Sequence, residues 1–181
     1  MVVCLYLRSP LGVLMSEQKC VLLNWNARGL NNPARKKVVR DLVAGLRSTI
    51  VCLQETKVSI CDGLLVNETL GSEFAKNYAF LPADETRGGM LVGVHEDYYH
   101  IVSSFTTTNA VSVKLQATTS NVSWWLTTVY GPQRDADKLA FLNELRQISL
   151  MTSDLWLVIG DFNMILQATD KSNDNINRRL M

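Results

Sequence analysis

An α/β domain is what this 181-residue sequence predicts, on three observations. The apolar runs CVLLNW (Cys20–Trp25), TIVCL (Thr49–Leu53) and LWLVI (Leu155–Ile159) have strand length and read as strands buried on both faces. Between the first two lies a stretch of helical periodicity, so strand, helix and strand follow in the spacing of an α/β unit. Ala110–Ala117 and Val122–Tyr130 make an antiparallel hairpin with one wet face: Val111, Val113 and Leu115 alternate with Ser112, Lys114 and Gln116.

With 47% hydrophobic residues the chain can bury one sizeable core, and its length suits one domain. A net charge of +1 excludes a bulk field that would announce a nucleic-acid partner. Arg28, Arg35, Lys36, Lys37 and Arg40 cluster locally, either as a solvated helix face or as a local positive field. The 4 cysteines, Cys4, Cys20, Cys52 and Cys61, form no CxxC pair, which argues against zinc and against a disulfide framework. Two N-x-S/T matches, at Asn67 and Asn121, are discounted as chance.

Along the chain, residues 1–18 read as a loosely ordered extension. The apolar part of this extension is too short to span a bilayer and lacks the form of a signal peptide, so the expected compartment is nuclear or cytoplasmic, not secreted. Asn32 reads as an N-cap with Pro33 at the first helical position, and Val39, Leu42 and Leu46, widened by Val38 and Val43, form the buried stripe. A short helix is expected near Leu64–Phe74, a turn at Thr86–Gly89, and strands at Met90–Val94 and Ile101–Phe105. After Gly131–Pro132, Asp135 or Asp137 can cap a helix carrying Leu139, Leu142, Leu145 and Ile148. Asp170–Met181 is a polar tail.

Four strands end in polar residues of one chemical kind: NWN (Asn24–Asn26), LQET (Leu53–Thr56), VYGP (Val129–Pro132) and GDFN (Gly160–Asn163). Residues two apart in extended chain point the same way, so Asp161 and Asn163 can aim into one site. A carboxylate is a hard oxygen ligand suited to Mg²⁺, and an amide can hold a phosphate oxygen or water. GDFN is equally a turn-forming sequence. Taken together, the four ends set Asn26, Glu55, Tyr130, Asp161 and Asn163 just beyond strand termini, where α/β sheets carry their sites.

The order NWNARGLN, LQETK, a Gly-Gly strand, VYGP and GDFN resembles the endonuclease/exonuclease/phosphatase superfamily, most closely the apurinic-type endonuclease domain of plant non-LTR (LINE-type) retrotransposons. The resemblance covers residues 19–181. It implies a four-layer α/β (α+β) sandwich of two mixed β-sheets flanked by helices, and Mg²⁺- or Mn²⁺-dependent cleavage of phosphodiesters in DNA; separately, the chain is expected to be a monomer. By motif, Glu55 and Asn26 would serve the metal, Asn26 by binding it or orienting Glu55. Asp161 would orient or deprotonate the attacking water, Asn163 would hold a phosphate oxygen, and Tyr130 would contact the phosphate. Arg28, a candidate substrate contact, stands where some members carry Asp.

Family members end with a Ser-Asp-His motif, whereas the 2 histidines here, His95 and His100, precede GDFN and lie in other contexts. The expectation is therefore the N-terminal three-quarters of the domain, C-terminally truncated and lacking its last strands, with an open strand edge at Leu155–Ile159 or Cys20–Trp25. The expected reaction is nicking of duplex DNA, impaired here. The alternatives are a catalytically dead fragment that acts at most as a binding protein, and a phosphatase or phosphodiesterase of the same fold.

Overall fold

Strand alternation builds two interiors. β2 (Cys20–Asn26) and β3 (Ile50–Gln54) send Cys20, Leu22, Ile50 and Cys52 to one face and Leu23, Val51 and Leu53 to the other. The computed structural model describes residues 2–7, 20–84, 87–152 and 155–164, and the expected polar tail lies outside them. The first face packs on Val111, Val113, Leu115 and Leu126 of β7 (Ala110–Ala117) and β8 (Ser123–Tyr130). The second packs under Val39 and Val43 of α1 (Pro33–Leu46), Val66 of α2 (Gly63–Thr69) and Phe74 of a 3₁₀ turn (Ser72–Phe74).

One sheet is five-stranded, in the order β1-β2-β3-β5-β4, where β1 is Val2–Leu7, β4 Tyr78–Asp84 and β5 Arg87–Val94. The other is four-stranded, β6-β7-β8-β9, with β6 at Tyr99–Thr106 and β9 at Trp156–Asp161. Each is mixed, with one parallel pair: β2 with β3, joined over α1, and β8 with β9, joined over α3 (Asp135–Met151). Phe141 and Ile148 of α3 close the outer face of the second sheet on Ala110 and Val129. Helix, sheet, sheet and helix make the expected four layers.

Asn32 caps α1 as expected, its side-chain oxygen accepting the Ala34 amide at 2.8 Å. Several expectations are corrected. The extension assigned to residues 1–18 contains β1, antiparallel to β2 from Val2 opposite Trp25 to Leu7 opposite Cys20. β2 is thus partnered on both sides and is no open edge. β9 is an edge strand among the described residues, with only Ile159 buried and Leu155, just before it, 55% exposed, not a strand buried on both faces. In α3 the buried pair is Phe141 and Ile148, while Leu139 faces solvent at 63% exposure. Ile148 and the partly buried Leu145 keep the expected stripe, while Phe141, packed with Ala110 and Val129, takes the place expected of Leu139 and Leu142. β4 is unexpected in a stretch interrupted by Pro82, which an outer strand tolerates.

Candidate active site

The columns that fill the space between the sheets turn polar at one end. In β2 the column Cys20, Leu22 continues to Asn24 and Asn26; in β3, Ile50 and Cys52 continue to Gln54. In β8, Trp124 and Leu126 lead to Thr128 and Tyr130, and in β9, Leu157 and Ile159 lead to Asp161. Both parallel pairs present their C-terminal ends at this edge.

Glu55 departs from the alternation. Following Leu53, it belongs to the outer face, but its backbone is left-handed (φ 51°), and the side chain joins the inner columns. Its Oε1 accepts hydrogen bonds from Asn26 Nδ2 at 2.8 Å and from the Tyr130 hydroxyl at 2.6 Å. Asn26 Oδ1 in turn accepts the Arg28 amide at 3.2 Å. Partial burial raises the Glu55 carboxyl, but the bonds from Tyr130 and Asn26 and the charges of Lys57 and Arg28 outweigh it, leaving it below the ordinary value. The Tyr130 phenol is pushed up to about 12 by burial and by Glu55. It is therefore a neutral donor at physiological pH.

Tyr130 and Asp161 are register partners across the parallel β8–β9 pair. Gly160 permits this pairing: at φ 144° its backbone passes so close to Val129 that a Cβ would strike the Val129 carbonyl. Beyond it, Asp161 Oδ1 accepts the Asn163 amide at 3.1 Å and Asn163 Nδ2 donates to the Gly131 carbonyl at 2.7 Å. The turn that GDFN encodes and the polar end of β9 are thus the same object. Phe162 anchors it by a tilted ring contact with Phe141, ring centroids 6.3 Å apart.

The structure brings Asn26, Glu55 and Tyr130 into direct contact, with Asp161 and Asn163 on the adjoining strand end and Arg28 at the rim. His95 meets the start of β3 through its amide bond to Thr49, at the opposite end from Glu55; it lies between the rings of Phe74 and Tyr98. His100 pairs with Gln116, at the far end of β7 from Tyr130.

Two contributors escaped the sequence analysis. Gln54 is fully buried and joins the sheets: its Nε2 bonds Asn24 Oδ1 at 2.6 Å and Thr128 Oγ1 at 2.8 Å. Its signal was an amide where β3 should carry an inward apolar residue. Lys57, two residues past Glu55, adds the second cation of the rim.

The oxygen donors here suit a hard divalent cation. Glu55 Oε2 accepts no hydrogen bond among the described residues, and Asn26 Oδ1 carries one long bond. No cluster of three His, Cys, Asp or Glu gathers among the described residues, so water and phosphate oxygens would complete such a shell.

Carboxylate, phenol and amides thus gather where the parallel pairs of a two-sheet sandwich end. Residues 23–181 match the Endonuclease/Exonuclease/phosphatase family, and the chain belongs to it. Enzymes of this superfamily hydrolyse phosphate esters and phosphodiesters and generally use divalent metals. No curated protein matches the chain in sequence. Among solved structures, the human Nocturnin catalytic domain with bound sulfate anion aligns with TM-score 0.63 at 16% identity, over 91% of this chain and 68% of that one. The Bacteroides thetaiotaomicron mannosyl-6-phosphatase Bt3783 gives 0.57 at 13%, over 79% and 65%. D. rerio TDP2 complexed with single strand DNA product gives 0.54 at 18%, over 80% and 60%. The chain thus spans about two thirds of the length of these structures, and at such identities they share its fold. No described helix is long and apolar enough to cross a membrane.

Proposed function

We propose that this chain is a divalent-metal-dependent phosphodiesterase acting on DNA, a nicking endonuclease of the retrotransposon type. The observation that carries the reading is the Glu55 carboxylate, held by Asn26 and Tyr130 with one oxygen left for a cation, beside Asp161. When bound, Mg²⁺ or Mn²⁺ would polarise the phosphoryl oxygen and stabilise developing charge. Glu55 and Asn26 would hold it. Tyr130 fixes the carboxylate, and its proton is committed there while that bond stands. Asp161, exposed at the strand end, orients the attacking water and receives its proton. Asn163 has one side-chain N–H beyond its Gly131 bond and offers it to a phosphate oxygen. The wording of the NWNARGLN and VYGP motifs supports the nuclease over the phosphatase.

A second reading has its own observation. Both histidines lie away from this edge, so no imidazole assists the leaving group or the water. Losing such help costs roughly 10²–10⁴-fold in rate. The 181-residue chain is therefore expected to nick slowly, and at the limit to bind without cutting. Supercoiled plasmid with Mg²⁺ or Mn²⁺ tests both. Slow relaxation to nicked circles with extendable 3′-hydroxyl ends, abolished by Glu55→Gln, supports the nuclease. DNA binding without relaxation selects the second reading, and hydrolysis of phosphate monoesters alone overturns both.

A further inference from the structure

We infer that the cleft beside Tyr130 is a subsite for a nucleobase, receiving the ring of the nucleotide joined to the phosphate at Glu55. This rests on the phosphodiesterase reading and names its substrate class. The cleft, about 220 Å³, opens between the sheets at the same edge as Glu55. Leu81, Pro82, Met90 and the Tyr130 ring form its apolar lining, with Thr108 and Asn109 at the rim.

Its two walls come from different sheets, and each is tied to the site. On one, the Gly88 and Gly89 carbonyls accept the Lys57 and Thr56 amides, both at 3.0 Å, which locks this wall to the loop carrying Glu55. On the other, the Asn109 carbonyl accepts the Tyr130 amide at 3.0 Å. The Glu144 carboxylate of α3 accepts the Asn109 amide at 2.8 Å and its Nδ2 at 2.7 Å. Both walls are therefore set before any ligand arrives, which lowers the ordering cost of binding. Gly88 lines the cleft with backbone alone, and a Cβ there would meet nothing within 4 Å.

Size and chemistry select the occupant. The volume is below the roughly 300–1,000 Å³ of a drug-sized site and suits a single ring system. Asp84 is the only charged residue among the described lining, so a phosphate is disfavoured inside the cleft. A ring with apolar faces and polar edges fits, its faces against Leu81, Pro82, Met90 and Tyr130 and its edge toward the Thr108 hydroxyl and Asn109 Oδ1. Stacking of this kind tolerates every base.

The test is calorimetric binding of thymidine 5′-phosphate, deoxyribose 5-phosphate and inorganic phosphate to the Mg²⁺-loaded chain. The nucleotide should bind about tenfold tighter than the sugar phosphate. Thr108→Gln, at an exposed rim position, should remove that advantage and leave inorganic phosphate affinity unchanged. Amide shifts at Gly88 and Thr108 on adding nucleotide, absent with phosphate, give a second reading independent of the variant. Equal affinities for nucleotide and sugar phosphate overturn the inference and leave the phosphodiesterase reading standing. So does an advantage that survives Thr108→Gln without shifts at Gly88. Failure of all three ligands to bind overturns the underlying reading and the subsite with it.

Discussion

The Tyr130 hydroxyl donates a 2.6 Å hydrogen bond to Glu55 Oε1, joining the end of β8 in one sheet to the loop after β3 in the other. The bond holds the carboxylate against the gap between the sheets and keeps it ionised. Removing it in Tyr130→Phe leaves burial, which raises the carboxyl, opposed only by Asn26, Lys57 and Arg28. The Glu55 pKa should rise, and the acid limb of any metal-dependent hydrolysis should move to higher pH. A pH–rate profile checks this, and an unmoved acid limb would exclude Glu55 as the group that must ionise.

The same pair sets two limits on stability. Glu55 has a lowered folded pKa, so its contribution is present above the unfolded carboxylate value and is lost as pH falls through the folded one. Tyr130 has a raised pKa, so its contribution is full below about pH 10, the ordinary phenol value, and is lost as pH rises through about 12. Thermal unfolding across pH should show Tyr130→Phe flattening the alkaline decline. An identical alkaline slope in the variant would show that other groups set it.

Gln54 is the polar rivet beneath the site. In Gln54→Met the volume is nearly kept, but Asn24 Oδ1 and Thr128 Oγ1 lose their donor inside the core. An unsatisfied buried polar group costs about 1–3 kcal/mol. The wild-type residue itself leaves Oε1 without a partner among the described residues, which offsets part of that loss. Denaturant unfolding of Gln54→Met should therefore show a loss of about 1–2 kcal/mol. Unchanged stability would mean that the two sheets hold without this bridge.

How much of this was legible in the sequence follows from the physics of each element. The unit β2, α1 and β3 could be read because buried parallel strands are apolar runs and α1 carries its cap, Asn32, in the sequence. The parallel pairing of β8 with β9 could not, since β8 reads only as half of a hairpin. The polar strand ends were legible because carboxylates and amides stand out after apolar runs. The Glu55–Tyr130 bond was not, because it depends on a left-handed backbone at residue 55 and on the packing of one sheet over the other. Nor was the exposure of β9, since an apolar run looks the same at the centre of a sheet and at its edge. β1 was missed because its pairing with β2 is a tertiary choice that short apolar stretches do not reveal.

Gly160 is where the strand and the site are most tightly coupled. A Cβ there would meet the Val129 carbonyl, and its φ of 144° strains any other residue. Gly160→Ala should cost about 3 kcal/mol or more, from backbone strain added to lost pairing of β8 with β9. The amides of Tyr130, Gly131 and Asn163 should lose hydrogen-exchange protection together. Retention of that protection would show that β9 can shift without disturbing the site.

β9 presents the last prediction. Its outer edge is unpaired among the described residues, and just before it stands Leu155, 55% exposed, a few residues after Leu150 and Met151 at the end of α3, which are 74% and 58% exposed. A strand edge flanked by exposed apolar side chains is a template for pairing with another chain, and lysine at an edge is a common guard against it. Leu155→Lys removes little buried surface, so its unfolding free energy should stay within the scatter of a surface substitution, about ±0.5 kcal/mol, and its unfolding temperature should hardly move. Its onset of light scattering on heating should rise by several degrees. Equal scattering onsets for wild type and variant would place the aggregation-prone surface elsewhere. A matched fall in unfolding temperature would show that Leu155 contributes to the core despite its exposure.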